Sequence, residues 1–457
     1  MRIHTTRACL VALGLCLTAA GAARAAETPA LVTAAKQGDT GAVRTLLGQG
    51  TAVDAAEGDG TTALHWASYR DEIDAVSLLL EAGASVNVAN DLGATPLWSA
   101  SQNGSVTMVR RLLEAGADPN LALWSGETSL MVGSRAGATG VVELLLEHGA
   151  ETDARAARGQ TALMWAAAQQ HADVVHALVA GGADIHARSD VWSQVMAVPP
   201  HSLPEYKREI PHGGNTALMF AARGGALATA RVLIAAGANV DDTDAWGVSA
   251  TTVATHAGFT DLVELVLEAG ADANAAEAGF APIHAAVMRQ DERLVTVLLE
   301  YGADPNATLR MWTPTRRASR DFNFAPPLVG ATPFWLAARF TAPSIMRLLV
   351  EHGADSAFVH HPDYKEPTYF QPRLEETTAL MAVTGMGGGR LRGWFPPPRG
   401  EAEMRALEAA QLLVELGADL NATDADGRTA LDGARSARLK TVATYLESHG
   451  AFASAGW

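Results

Sequence analysis

The sequence predicts an all-α stack of repeated helical hairpins, a solenoid in place of a single globular core. Three observations carry this. The chain has 457 residues, more than one ordinary core organises. A Gly-x-Thr-x-Leu segment recurs at Gly60, Gly93, Gly126 and Gly159, a period of 33 residues. Each copy is followed by a second apolar stretch with a Gly-Ala ending, as in Leu78–Ala84 and Leu112–Asp118. At 48% apolar residues the chain has enough hydrophobic surface to fold.

The first 25 residues read as a secretory signal. Arg2 and Arg7 form a basic start, and Ala8 to Ala22 is an apolar run. Ala23-Arg24-Ala25 then fits a small-x-small cleavage site. The run is shorter than the ~20 apolar residues of a membrane span, and Leu15 is too bulky for the residue before a lipoprotein cysteine. No other segment is apolar enough to span. The expected location is periplasmic or secreted, with cleavage near Ala25. The only cysteines, Cys9 and Cys16, lie in this leader, so the processed chain has no disulfide, thiolate metal site or cysteine nucleophile. A net charge of −16 argues against nucleic acid and anionic membranes as partners.

Within each repeat the local chemistry is legible. Thr95 before Pro96 is an N-cap followed by a good first helical residue. Leu and paired Ala build a tightly packed first helix, which a Gly such as Gly104 ends. Val109, Leu112 and Leu113 stand at helical spacing in the second helix. Gly83, Gly116, Gly149 and Gly237 then occupy left-handed helix ends. An Ala-Asp-x-Asn segment turns the chain into a short finger. This pattern resembles the ankyrin repeat: its Thr-Pro-Leu-His-x-Ala core, its Gly-Ala-Asp-x-Asn turn and its period all correspond. About eleven copies cover nearly all of the chain after the leader. The resemblance implies paired antiparallel helices with β-hairpin-like fingers. It also implies a concave face, lined by fingers and first helices, that binds another protein. His65 and His284 fall on the motif's own His, which braces the turn.

Insertions interrupt the period. The resulting partition is a signal peptide at 1–25, repeats at 26–187, a finger insertion at 188–210 and repeats at 211–306. An insertion at 307–328, a repeat at 329–355 and an insertion at 356–375 follow. The repeat at 376–423 carries a further insertion, 386–402, between its helices, and 424–457 is a capping repeat. The cap is polar, with Arg435, Ser436, Arg438 and Lys440 in place of small apolar residues. Aromatic and basic residues collect in the insertions, among them Trp192, Tyr206 and Arg208 in the first and Trp312, Arg316 and Phe324 in the second. His360, His361 and Tyr364 stand in the third and Arg390 and Trp394 in the fourth. Long loops of this kind carry function or pin themselves to the scaffold. Deleting 307–328 is expected to leave the fold intact.

Aligning the repeats places Tyr69, Arg70, Arg135, Arg223, His256, Arg289, Arg339 and Phe340 at two groove-facing positions at the end of the first helix. With Trp312 and Trp394 from the insertions they form the candidate ligand or partner surface, suited to an acidic peptide or an anionic or planar molecule. Trp66, Trp165 and Phe220 share an internal position that faces the neighbouring repeat and are assigned to the core. Gly385–Arg390 lacks the Lys-Ser/Thr of a phosphate loop and reads as a flexible turn. His360-His361-Pro362-Asp363 lacks converging ligands for a metal. No catalytic triad, metal site or cofactor motif is found. The sequence therefore reads as an exported scaffold for a protein or peptide. The alternative is a small-molecule binder or enzyme whose pocket is roofed by the insertions and lined by Arg223, Arg289, Trp312, Trp335 and Trp394.

Overall fold

The repeat begins with a capped helix. Thr95 has extended backbone angles and its Oγ1 accepts from Trp98 N at 3.2 Å, starting helix Pro96–Asn103. Gly104, at φ +72°, ends that helix, and Ser105 caps the second helix, Val106–Glu114. Gly116, at φ +90°, closes it: Gly116 N donates to Leu113 O and Ala117 N to Leu112 O. The same grammar recurs along the chain. In the computed structural model the described residues are 28–197, 207–313, 324–362, 376–388 and 399–454. They contain 22 α-helices and two short antiparallel strand pairs. Among them no helix is long and apolar enough to cross a membrane. Residues 1–25, expected to be a secretory signal, lie outside them.

Two compact units divide the chain, Met1–Trp124 and Ser125–Trp457. In the first, Leu64, Leu79, Leu97 and Leu112 are fully buried, and Ala67 and Ala100 let the first helices approach closely. In the second, Leu145, Leu178, Leu233 and Leu298 do the same work beside Ala166, Ala221 and Ala285.

The Asn of the Gly-Ala-Asp-x-Asn turn is a buckle between neighbouring hairpins. Asn87 Nδ2 donates to Gly116 O at 3.0 Å while its Oδ1 accepts from Asp118 N at 2.8 Å. Asn274 bonds Gly302 O and Asp304 N in the same way. Asn306 bonds Gly353 O and Asp355 N, so this buckle closes across the whole 307–328 insertion. The finger tips are tied sideways as well, through Asp91 N to Asp59 O in the first unit and Asp190 N to Arg158 O in the second.

The insertions anchor themselves. The first forms an antiparallel ribbon, Trp192–Ala197 against Lys207–His212. The second buries Leu309, Phe324 and Leu328, and Phe324 packs against Phe280 with ring centroids 5.3 Å apart. The expectation that 307–328 could be deleted without harm is therefore corrected, because these side chains belong to the core. In the third, Val359–His360 pairs with Thr377–Thr378. After the fourth, the second helix is lengthened to Arg399–Glu415. Its Arg405 donates to Gln290 Oε1 at 3.2 Å, and its Glu403 accepts from Thr441 N at 2.8 Å. Gly387 and Gly388 are set by close packing. A Cβ at Gly387 would press on the Thr377 side chain, and one at Gly388 would lie 2.9 Å from Leu328 Cδ2.

Candidate partner-binding surface

First helices and fingers supply the functional side chains. In the first unit Lys36 Nζ lies 4.5 Å over the Trp66 ring. Glu57, from the finger, accepts from Lys36 Nζ at 3.1 Å and from Trp66 Nε1 at 3.0 Å. Tyr69, exposed, meets Trp66 edge-on at 6.0 Å. In the second unit Arg135 sits 4.7 Å over the Trp165 ring and pairs with Glu127 at 3.1 Å. Burial pushes the Glu127 carboxyl up, and Arg135 offsets part of the rise. Trp66, Trp165 and Phe220 are half-buried. Their assignment to the core is thus corrected: one ring face of each tryptophan takes a cation.

The root of the ribbon is a second cluster. Arg158, a non-glycine residue at φ +64°, lies 4.6 Å over the Trp192 ring. Trp192 in turn stacks on His212 at 4.5 Å and 24° between planes. Arg155 pairs with Asp190, and Arg188 with Asp242. Arg223 donates to Asn215 Oδ1 at 3.1 Å and lies over Phe220 at 5.9 Å. Asp244 ties these groups together. Burial raises its carboxyl, against backbone N–H groups of Val248 and Trp246 and the nearby Arg223 and His212. Arg158, Trp192, His212 and Arg223 thus form one basic, aromatic patch drawn from a finger tip, both ribbon strands and a first helix.

Several of the remaining candidates are engaged at neighbouring turns. Arg70 is exposed and lies beside the turn at Gly38, next to Glu72. Arg289 covers the turn at Gly258 and donates to His256 O at 2.8 Å, completing a carbonyl at the end of the preceding first helix. His256 itself is exposed. Asn103 Nδ2 to Tyr69 O and His171 Nε2 to Arg135 O make the same kind of stitch. Arg339 Nε donates to Gly387 O at 3.0 Å. Phe340, expected in the groove, is 2% exposed and belongs to the interior. Trp312 is half-buried, and Trp394 lies outside the described residues.

The pocket expected beneath the insertions is corrected at Trp335. That residue is fully buried, donates through Nε1 to Thr377 O at 3.1 Å, and packs on His360 at 4.2 Å. His360 is buried with Nε2 on Val329 O, and burial lowers its pKa to about 4. His361 is exposed beside Glu376, so the adjacent histidines occupy different environments. An open depression of about 250 Å³ does exist, lined by Gly225, Leu227, Gly258, Phe259, Asp261 and Arg293. It lies at the turns between first and second helices, and an Arg293–Asp261 ion pair spans it at 2.6 Å.

Sequence reasoning missed Lys36, Glu57, Glu127, Arg158 and His212. A signal for the first was present: Lys36 precedes Trp66, and Arg135 precedes Trp165, by the same 30 residues.

Comparison with protein-family models agrees with this architecture. A family model described as ankyrin repeats (3 copies) matches residues 31–123, 121–189 and 218–308. The crystal structure of the human ASB11 ankyrin repeat domain is similar at 28% identity and a TM-score of 0.43, over 53% of this chain and 97% of that one. Ankyrin repeats serve in general as protein–protein interaction scaffolds. With more than half of its length matched by that model and its described helices following one another in pairs, the chain belongs to the ankyrin-repeat family.

Proposed function

We propose that this chain is an exported scaffold that holds a protein or peptide partner on the first-helix and finger surface of its second unit. The patch at the ribbon root carries the reading. Arg158, Trp192 and His212 form a stack, with Arg223 beside it, in a chain whose net charge is −16. Aromatic and arginine side chains dominate the energetics of protein interfaces. Export is supported by the basic, apolar and small-residue pattern of residues 1–25.

The test is crosslinked capture of partners from the native cell envelope. Trp192→Ala combined with Arg223→Ala should abolish capture while helicity stays at the parent value. Undiminished capture refutes the assignment. Export is checked separately: the N-terminus of the protein recovered from that fraction should begin at Ala26, and a retained Met1 overturns it. The small-molecule alternative gains nothing from Trp335, which faces the interior.

A further inference from the structure

We propose that Arg135 and Trp165 form a carboxylate-binding subsite that takes an aspartate or glutamate side chain from an acidic segment of the partner. This rests on the reading of the surface as a partner-binding face and supplies the chemistry of one contact.

The template lies within the chain. In the first unit, the Lys36–Trp66 pair is completed by Glu57, whose carboxylate accepts from both the base and the indole N–H. In the second unit the base again covers the indole, 4.7 Å from its centroid. The place of Glu57, nine residues before the indole, is held by Ala156. The same two backbone hydrogen bonds frame both positions. Glu57 N donates to Thr61 O at 2.9 Å and Gly60 N to Glu57 O at 3.0 Å; Ala156 N donates to Gln160 O at 2.9 Å and Gly159 N to Ala156 O at 2.9 Å.

The missing carboxylate has a consequence. Trp165 Nε1 is buried with no hydrogen-bond partner among the described residues, whereas Trp66 Nε1 is satisfied. A buried donor left unpaired is costly and uncommon. Glu127 holds Nη2 of Arg135 and steadies the guanidinium over the ring. The planar fork of an arginine keeps further N–H groups for a second carboxylate. Because Trp165 Nε1 is covered in the free chain, a partner carboxylate reaches it by displacing what covers it; once seated, it accepts from base and indole together, as Glu57 does in the first unit. Arg158, over the Trp192 ring, and Arg223, over Phe220, are further guanidinium groups on the same unit that successive acids of a segment can meet and an isolated acid cannot.

The test follows the Trp165 indole N–H resonance in the full ¹⁵N-labelled chain, assigned through Trp165→Phe. Octaglutamate, octalysine and glutarate are the probes. Octaglutamate should shift and saturate the resonance. Ala156→Glu should displace it before any peptide is added and weaken octaglutamate binding about tenfold or more, the cost of losing charge-assisted hydrogen bonds. Arg135→Met should weaken it similarly. Octaglutamate affinity unchanged in both variants overturns the subsite. Saturation by octalysine or glutarate in the same concentration range overturns the acidic segment. Partner capture that survives Ala156→Glu but fails in the Trp192→Ala, Arg223→Ala variant leaves the scaffold standing and removes this subsite alone.

Discussion

His284 makes the fold of the second unit sensitive to pH. Its Nδ1 accepts from Ala281 N at 3.0 Å and its Nε2 donates to Ala307 O at 3.0 Å, with the Phe324 ring edge-on at 6.3 Å. Both bonds use the neutral ring, and full burial lowers the pKa from 6.5 to about 4. The unfolded chain therefore takes up the proton first as pH falls. The stabilisation is complete above pH 6.5 and is lost on the way down to about pH 4. At about 1.4 kcal/mol per pH unit it amounts to roughly 3 kcal/mol. His284→Asn keeps an acceptor for Ala281 N but strips the donor from the Ala307 carbonyl, costing about 2 kcal/mol at pH 7. The variant has no imidazole to titrate, so its deficit should shrink, vanish at about pH 5 and reverse by about 1 kcal/mol at about pH 4. Urea denaturation of both proteins, followed by helicity at pH 7.5, 5.5 and 4.2, measures the gap. A gap that stays constant across this range refutes the reasoning.

Two further substitutions probe how the insertions are held. Phe324→Ala removes a fully buried ring packed on Phe280 and should cost about 3–5 kcal/mol in denaturant titrations; a loss under 1 kcal/mol means the insertion is not anchored there. Gly213 stands at φ +86°, where a Cβ would collide with the Asp190 carbonyl oxygen, so Gly213→Ala should cost about 2 kcal/mol and expose Trp192, read as a red shift of its emission. An unaltered emission spectrum shows that the ribbon root tolerates the change.

Local chemistry was the most legible layer of the sequence. The cap at Thr95, the proline at Pro96 and the left-handed end at Gly116 act within a few residues, and the structure uses each as read. The buckle made by Asn87 was visible as a motif, but its partners Gly116 and Asp118 belong to the next hairpin and emerge only in the stack. The groove was read less well. Arg289 and Phe340 stand one residue beyond the position of Arg135 and Arg223, and one residue turns a helix by about 100°. That step carries Arg289 onto the Gly258 turn and Phe340 into the interior. Trp66 and Trp165 were assigned to the core by helical phase alone. Phase says which way a ring faces, whereas the neighbouring repeat decides whether a leucine or a lysine covers it.

The long helix Arg399–Glu415 changes how this end of the chain comes apart. In a linear array each repeat senses only its immediate neighbours, and opening can travel inward one hairpin at a time. Here Arg405 grips Gln290, Gln290 reaches Phe340 O at 3.5 Å, and Glu403 holds the start of helix Lys440–Ser448. A single rigid rod thereby joins hairpins that are not adjacent. Opening of this helix must release contacts on both sides of it, so its neighbours are coupled through it. Amide exchange should then show helices Pro282–Arg289, Arg399–Glu415 and Lys440–Ser448 sharing one opening free energy in place of a gradient toward the terminus.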